Sequence, residues 1–180
     1  MKNALIIFAD GSEELEAVTA VNILRRAGVA VTLAGLTAGA LRGSRGMMLM
    51  PDTTLDTALK HDYDMVVLPG GQPGTSHLKA DARVLKLVQQ MAQQGKYVAA
   101  ICAAPSVLAT AGLLDGKRAT CFPTCLDGFP RVNLQTAAVV EDGKLITSRG
   151  PGTAMDFALT LVERLAGHAK RQEVEAGLQR

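Results

Sequence analysis

Cys102 stands between an apolar run, Tyr97–Ile101, and a helical pattern that opens at Pro105, with Ala100, Ala103 and Ala104 around it. A strand turning this tightly into a helix presents its tip residue on a strained bend, where only small neighbours avoid a clash. A sulfur at that tip faces the amino end of the helix. The N–H groups and dipole there favour a thiolate, lowering a cysteine pKa from about 8.5 into roughly the 3.5–7.5 range. The competing reading is a small buried core residue, a common fate of a free cysteine.

Two other segments offer chemistry. Pro69-Gly70-Gly71 ends a second apolar run, Met65–Leu68. It reads either as a plain turn or as a close backbone approach that offers N–H groups to an oxyanion near Cys102. It is neither a phosphate-binding loop, since no Gly-Lys-Ser/Thr follows, nor a dinucleotide fingerprint. Glu13, Glu14 and Glu16 open the first helical pattern, where such acids are usually solvated. One of them is expected to point toward the cysteine, where burial would raise its pKa and make it a proton donor or acceptor.

The elements that must position these groups alternate along the chain. Ala4–Ala9 reads as a strand buried on both faces. A helix follows from Ser12, its proposed cap, with Leu15, Val18, Val21 and Leu24 at three-residue steps and Gly28 as its stop. Val29–Leu36 completes a βαβ unit. The stretch 39–50 reads as a small hairpin or excursion, and Asp52–Leu59 as a short helix. Further helices are expected over roughly Asp81–Gln94, Pro105–Ala111 and Ala154–Ala166, with a polar tail that extends helically. Ala137–Val140 and Lys144–Thr147 flank Asp142-Gly143 as a hairpin. The pattern predicts a single domain over residues 1–180, an α/β sandwich with a mostly parallel sheet. Ligands in such sheets bind beyond the carboxyl ends of the strands, the edge to which all three chemical segments belong.

Composition narrows the class. The 180 residues carry 19 Lys plus Arg against 17 Asp plus Glu, a net charge of +2 that argues against a broad nucleic-acid footprint. Aromatics at 3% leave little for base stacking, while 48% hydrophobic residues suffice for a core. No apolar run nears the ~20 residues of a membrane span, and the start lacks a secretory pattern, so a soluble cytoplasmic protein is expected. Cys121 and Cys125 are four apart with no second Cys pair, and His61, His77 and His168 are scattered. No metal and no cofactor is therefore expected. Those two cysteines read as ordinary loop residues, or one as a resolving thiol for Cys102.

The sequence resembles the ThiJ/PfpI superfamily and, within it, the DJ-1 branch, which includes bacterial members. The resemblance rests on Gly11-Ser12-Glu13-Glu14-Leu15-Glu16, Arg25-Arg26-Ala27-Gly28, Val67-Leu68-Pro69-Gly70-Gly71, the stretch 99–105 around Cys102, and Thr147-Ser148-Arg149-Gly150-Pro151-Gly152-Thr153. It spans nearly the whole chain and implies a flavodoxin-like three-layer sandwich in homodimers. By that resemblance Cys102 is the oxidisable cysteine and Glu16 the carboxyl hydrogen-bonded to its sulfur. Gly71 and Ala103 supply backbone donors, Arg26 and Arg45 lie near the dimer interface and a small anion pocket, and Pro151 borders the cysteine. Cys121 is the second thiol expected near Cys102. Where many members carry a His before a Pro, this chain has Phe122, so a Cys-His peptidase or amidase loses its base.

Three functions follow from the resemblance. The first is a glutathione-independent glyoxalase or deglycase acting on α-oxoaldehydes or early glycation adducts. The second is a non-enzymatic redox sensor or stress chaperone working through Cys102 oxidation. The third, weaker, is a hydratase or hydrolase of the wider superfamily.

Overall fold

The computed structural model describes residues 1–179. Strand β1 (Asn3–Phe8) pairs in parallel with β2 (Ala30–Gly35) on one side and β6 (Met65–Leu68) on the other. The first helix, α1 (Glu14–Arg26), makes the crossover between β1 and β2. Beyond β6 lie β7 (Tyr97–Ile101), β11 (Leu145–Ser148) and β10 (Val139–Asp142). At the other edge β2 pairs with a two-residue strand, β5 (Thr53–Thr54). The resulting order is β10-β11-β7-β6-β1-β2-β5, parallel throughout except for the β10–β11 hairpin, which turns at Gly143.

Alternation along the strands divides the core. Ala4, Ile6 and Phe8 face one side of the sheet and Leu5, Ile7 and Ala9 the other, all fully buried. The first set packs under α1, α6 (Ala154–Ala166) and α7 (His168–Gly177). The second packs under α2 (Leu55–Ala58), α3 (Gly74–Ala80), α4 (Ala82–Gln93) and α5 (Pro105–Thr110). An α/β sandwich with a mostly parallel sheet therefore forms as the apolar runs require. Truncating a centrally buried ring such as Phe157 would cost about 3–5 kcal/mol.

Several details differ from the sequence pattern. The buried stripe of α1 is Ala17, Ala20, Ile23 and Leu24, while Leu15 and Val18 are 50% and 42% exposed. Small residues win this face because α1 lies close against α6. Ser12 does not cap α1. Its hydroxyl instead accepts the Ala9 N–H at 3.1 Å, tying down the β1–α1 turn, and Glu13 occupies the cap position without a side-chain bond to the helix's own N–H groups. Asp52–Leu59 is a helix only over Leu55–Ala58, because Thr53 and Thr54 extend the sheet. Helix α3 has no counterpart in the periodicity, since only Gly74, Thr75 and Leu78 of it are buried. The 39–50 segment is a hairpin of β3 (Leu41–Arg42) and β4 (Met48–Leu49). A second small pair, β8 (Arg118–Ala119) with β9 (Asn133–Leu134), brackets a long turn-rich loop, residues 120–132.

Candidate active site

The β7–α5 turn holds Cys102 at φ 64°, a left-handed conformation that a non-glycine residue adopts only at a cost of about 1–3 kcal/mol. Two hydrogen bonds hold the residue there: its N–H donates to Ser148 O at 2.9 Å, and its carbonyl accepts Phe122 N–H at 2.8 Å. The loop after β6 presses against this elbow. A β-carbon on Gly70 would lie 2.6 Å from the Cys102 Cβ and 2.9 Å from Ala103 N, so only glycine fits. Gly71, at φ 84°, would place a β-carbon 2.4 Å from Glu13 N. The N–H groups of Gly71 and Ala103 both act on the Cys102 sulfur.

From the opposite side α1 brings Glu16, 2% exposed. Its Oε2 accepts the Gly70 N–H at 2.7 Å, and Glu13 N–H donates to the Gly70 carbonyl at 2.8 Å. Both polar groups of Gly70 are thus held by the start of one helix. The other carboxyl oxygen, Oε1, has no hydrogen-bond partner among the described residues, and the Cys102 thiol acts on the carboxyl. Burial pushes Glu16 up to about 7 against the pull of Gly70 N–H, the thiol notwithstanding.

The expectation of a thiol lowered by its helix start does not hold by itself. Burial first, and then the Glu16 carboxylate, push Cys102 up to about 12, outweighing the amides of Gly71 and Ala103. Helix α5 begins only at Pro105, three residues on, and is short. The two groups titrate as a pair. With Glu16 ionised, the thiol keeps its proton. With Glu16 protonated, the repulsion vanishes and the carboxylic acid becomes a third donor to the sulfur.

The other first-turn acids are not solvated. Glu14, 5% exposed, accepts the N–H groups of Arg45 (3.0 and 3.1 Å) and Met47 (3.2 Å), fastening the β3–β4 turn to α1. Burial alone would raise its carboxyl, but those backbone donors and Ser44 hold it below its usual range. Glu13 accepts the Ser44 hydroxyl at 2.6 Å and lies 3.8 Å from the Arg45 guanidinium.

These groups open onto a cavity of about 370 Å³ lined by Glu13, Ser44, Arg45, Gly71, Gln72, Cys102, Ala103, Phe122, Cys125 and Pro151. Of the expected site residues, Cys102, Glu16, Gly71, Ala103, Arg45 and Pro151 come together. Arg26 does not: it bonds Asn22 at 2.8 Å and lines a separate groove with Val18, Val21, Asn22, Arg25 and Leu33. The second thiol at the cavity is Cys125, whereas Cys121 is buried outside its lining. Phe122 closes one wall, and no histidine lines it. Ser44 and Gln72 carry no signal in the sequence, whereas Glu13 is one of the three first-turn acids. Among the described residues, no three His, Cys, Asp or Glu side chains cluster to hold a metal ion. No helix among the described residues is long and apolar enough to cross a membrane.

A cysteine on a strand-to-helix elbow, answered by a buried carboxyl from the first helix of a parallel α/β sheet, defines a cysteine-centred α/β protein. The chain belongs to the DJ-1/PfpI family, whose model matches residues 2–164, and within it to the DJ-1 branch. It is 46% identical over 182 residues to Protein dj-1beta of Drosophila melanogaster, covering 98% of this chain and 96% of that protein. It is 34% identical to the Caenorhabditis elegans protein named glutathione-independent glyoxalase DJR-1.2, over 94% and 91% of the two chains. The crystal structure of Drosophila melanogaster DJ-1beta superposes with a TM-score of 0.96 at 45% identity, covering 99% of this chain and 97% of that one.

Proposed function

We propose that the chain is a glutathione-independent glyoxalase or deglycase that converts small α-oxoaldehydes, or the early glycation adducts they form, to hydroxy acids. The observation that carries this reading is the Glu16–Cys102 pair: a buried carboxyl raised to about 7, one oxygen of it unpartnered, on which the thiol acts. A general acid/base with a pKa near the working pH is the most effective kind. The name of the Caenorhabditis elegans relative supports the reading.

In this reading Glu16 takes the Cys102 proton as the sulfur attacks the aldehyde carbon. The resulting oxyanion is held by Gly71 and Ala103 N–H and takes up the proton, giving a hemithioacetal. The Glu16 carboxylate then removes the proton from the former aldehyde carbon and returns it to the adjacent former ketone carbon, while the hydroxyl proton of the first carbon passes to the former ketone oxygen. The first carbon is oxidised to a thioester and the second is reduced to an alcohol. Water cleaves the thioester, releasing a hydroxy acid and the free thiol, so the sum is oxoaldehyde plus water. Glu16 does the proton transfers alone, since Phe122 supplies no imidazole. Arg45 at the mouth attracts anionic adducts and products. No cofactor enters any step.

The same donors would serve a second reading, a redox sensor or stress chaperone. Gly71 N–H, Ala103 N–H and a protonated Glu16 converge on the sulfur and would stabilise its oxidised forms.

The chain is further proposed to act as one domain over residues 1–180, in the cytoplasm, as a homodimer. Leu15 and Val18 expose apolar surface on α1. Met47 and Met48, 54% and 52% exposed, lie on the hairpin that Glu14 fastens beside it. The activity is tested by product formation from methylglyoxal with purified protein, without glutathione or added metal. Wild type is expected to form lactate and Cys102→Ala none; equal rates would overturn the assignment.

A further inference from the structure

Cys125 shares the reactive cavity with Cys102. It lies on the loop of residues 120–132, whose backbone touches the elbow directly: Phe122 N–H donates to the Cys102 carbonyl at 2.8 Å. Three residues on, Cys125 N–H returns to Phe122 O at 3.1 Å, closing a turn. Such a turn keeps its first and last Cα atoms within about 7 Å, so Cys125 is folded back over the segment that meets Cys102. The next residue back, Thr124, takes the left-handed conformation, φ 69°, that directs the turn. Cys125 is only half-buried; burial still pushes its thiol up, and the Lys79 ammonium opposes that rise. Cys121, by contrast, is buried and its sulfur is occupied by the N–H groups of Cys125 and Leu126.

We propose that Cys125 is a resolving thiol, and that Cys102 and Cys125 together reduce hydroperoxides by forming a disulfide across the cavity. The Cys102 thiolate attacks the peroxide's distal oxygen. The O–O bond breaks, water leaves after proton uptake, and Cys102 becomes a sulfenic acid. The Cys125 thiolate then attacks that sulfur. The S–O bond breaks, and the departing hydroxide takes up the proton that Cys125 released. Two thiols and one hydrogen peroxide become one disulfide and two waters, and a small dithiol or monothiol reductant restores the pair by exchange. Closing the bridge requires the two Cα atoms to come within about 7 Å, a movement assigned to the turn-built loop of residues 120–132, since the elbow is held on both sides.

The proposal rests on Cys102 being the reactive thiol but not on oxoaldehyde turnover, and its test separates the two. Wild type, Cys125→Ser and Cys121→Ser are treated with one equivalent of hydrogen peroxide, alkylated, and read by intact mass and non-reducing peptide mapping. Methylglyoxal turnover is measured on the same untreated samples. Wild type and Cys121→Ser are expected to lose two hydrogens and yield a Cys102–Cys125 peptide. Cys125→Ser is expected to pass on to Cys102 sulfinate at least tenfold faster. The proposal is overturned if wild type and Cys125→Ser reach sulfinate at the same rate. It is equally overturned if the bridge joins Cys121 to either partner.

Discussion

Gly70 passes so close to Cys102 that a β-carbon on it would sit 2.6 Å from the Cys102 Cβ, and the same residue donates its N–H to Glu16 at 2.7 Å. One glycine therefore sets the separation between the nucleophile and its acid. Neither neighbour can yield cheaply, because one is an elbow held on both sides and the other belongs to a buried helix start.

Gly70→Ala is expected to destabilise the fold by about 1–3 kcal/mol through overpacking. It should also lower methylglyoxal turnover by about 10²-fold through misplacement of the pair. Gly152→Ala is the control, since nothing lies within 4 Å of a β-carbon there. Thermal melts and steady-state rates for both variants check this, and an active, fully stable Gly70→Ala would contradict it.

The elbow conformation has its own signature. At φ 64°, Cys102→Gly relieves a strain that Cys102→Ala retains. Although both variants lose the sulfur, the glycine form is expected to be the more stable by about 1 kcal/mol. Denaturant titration of the two variants measures the difference. An alanine variant as stable as the glycine variant would mean that the left-handed bend stores no strain.

Much of this arrangement was legible in the sequence, and the exceptions share a cause. The strands β1, β6 and β7 show as uninterrupted apolar runs because both faces are covered, and Cys102 shows because small residues flank it at a strand end. Glu13 and Glu14 read as solvated acids because their partners, Ser44, Arg45 and Met47, lie about 30 residues away on a hairpin. Leu15 and Val18 read as core because periodicity gives a face but not its direction. The position of α6 decided that. Arg26 was grouped with Arg45 by family pattern, yet the two line different cavities. The thiol pushed up to about 12 could not be anticipated from a helix start, since depth of burial is a tertiary property.

Glu16 gives stability a pH dependence of definite sign. Its native carboxyl titrates near 7 against an ordinary value of 4.5, so the native state holds the proton more tightly than the unfolded chain. Its contribution is fully present below about pH 4.5 and is lost as the pH rises through 7, a change on the order of 3 kcal/mol. Glu16→Gln, which cannot ionise, should therefore gain stability over wild type as pH rises from 5 to 8. Melting temperatures across that range check it; a constant difference would show that Glu16 is not titrating near 7.

The exposed apolar residues of α1 give the dimer its test. Sedimentation is expected to show a mass near twice the 18.9 kDa chain, and Leu15→Glu, whose side chain is half-exposed, should yield a folded monomer. Unchanged sedimentation of Leu15→Glu would move the interface elsewhere.

The most direct test of the central claim, that Glu16 shuttles protons for Cys102, is the steady-state turnover of methylglyoxal by Glu16→Gln. Glutamine keeps the carbonyl that accepts Gly70 N–H and can still donate to the sulfur, but it has no proton to give and take. The reading predicts that turnover falls by about 10²-fold or more, with Cys102 alkylation and folding retained. Full turnover by Glu16→Gln would contradict it.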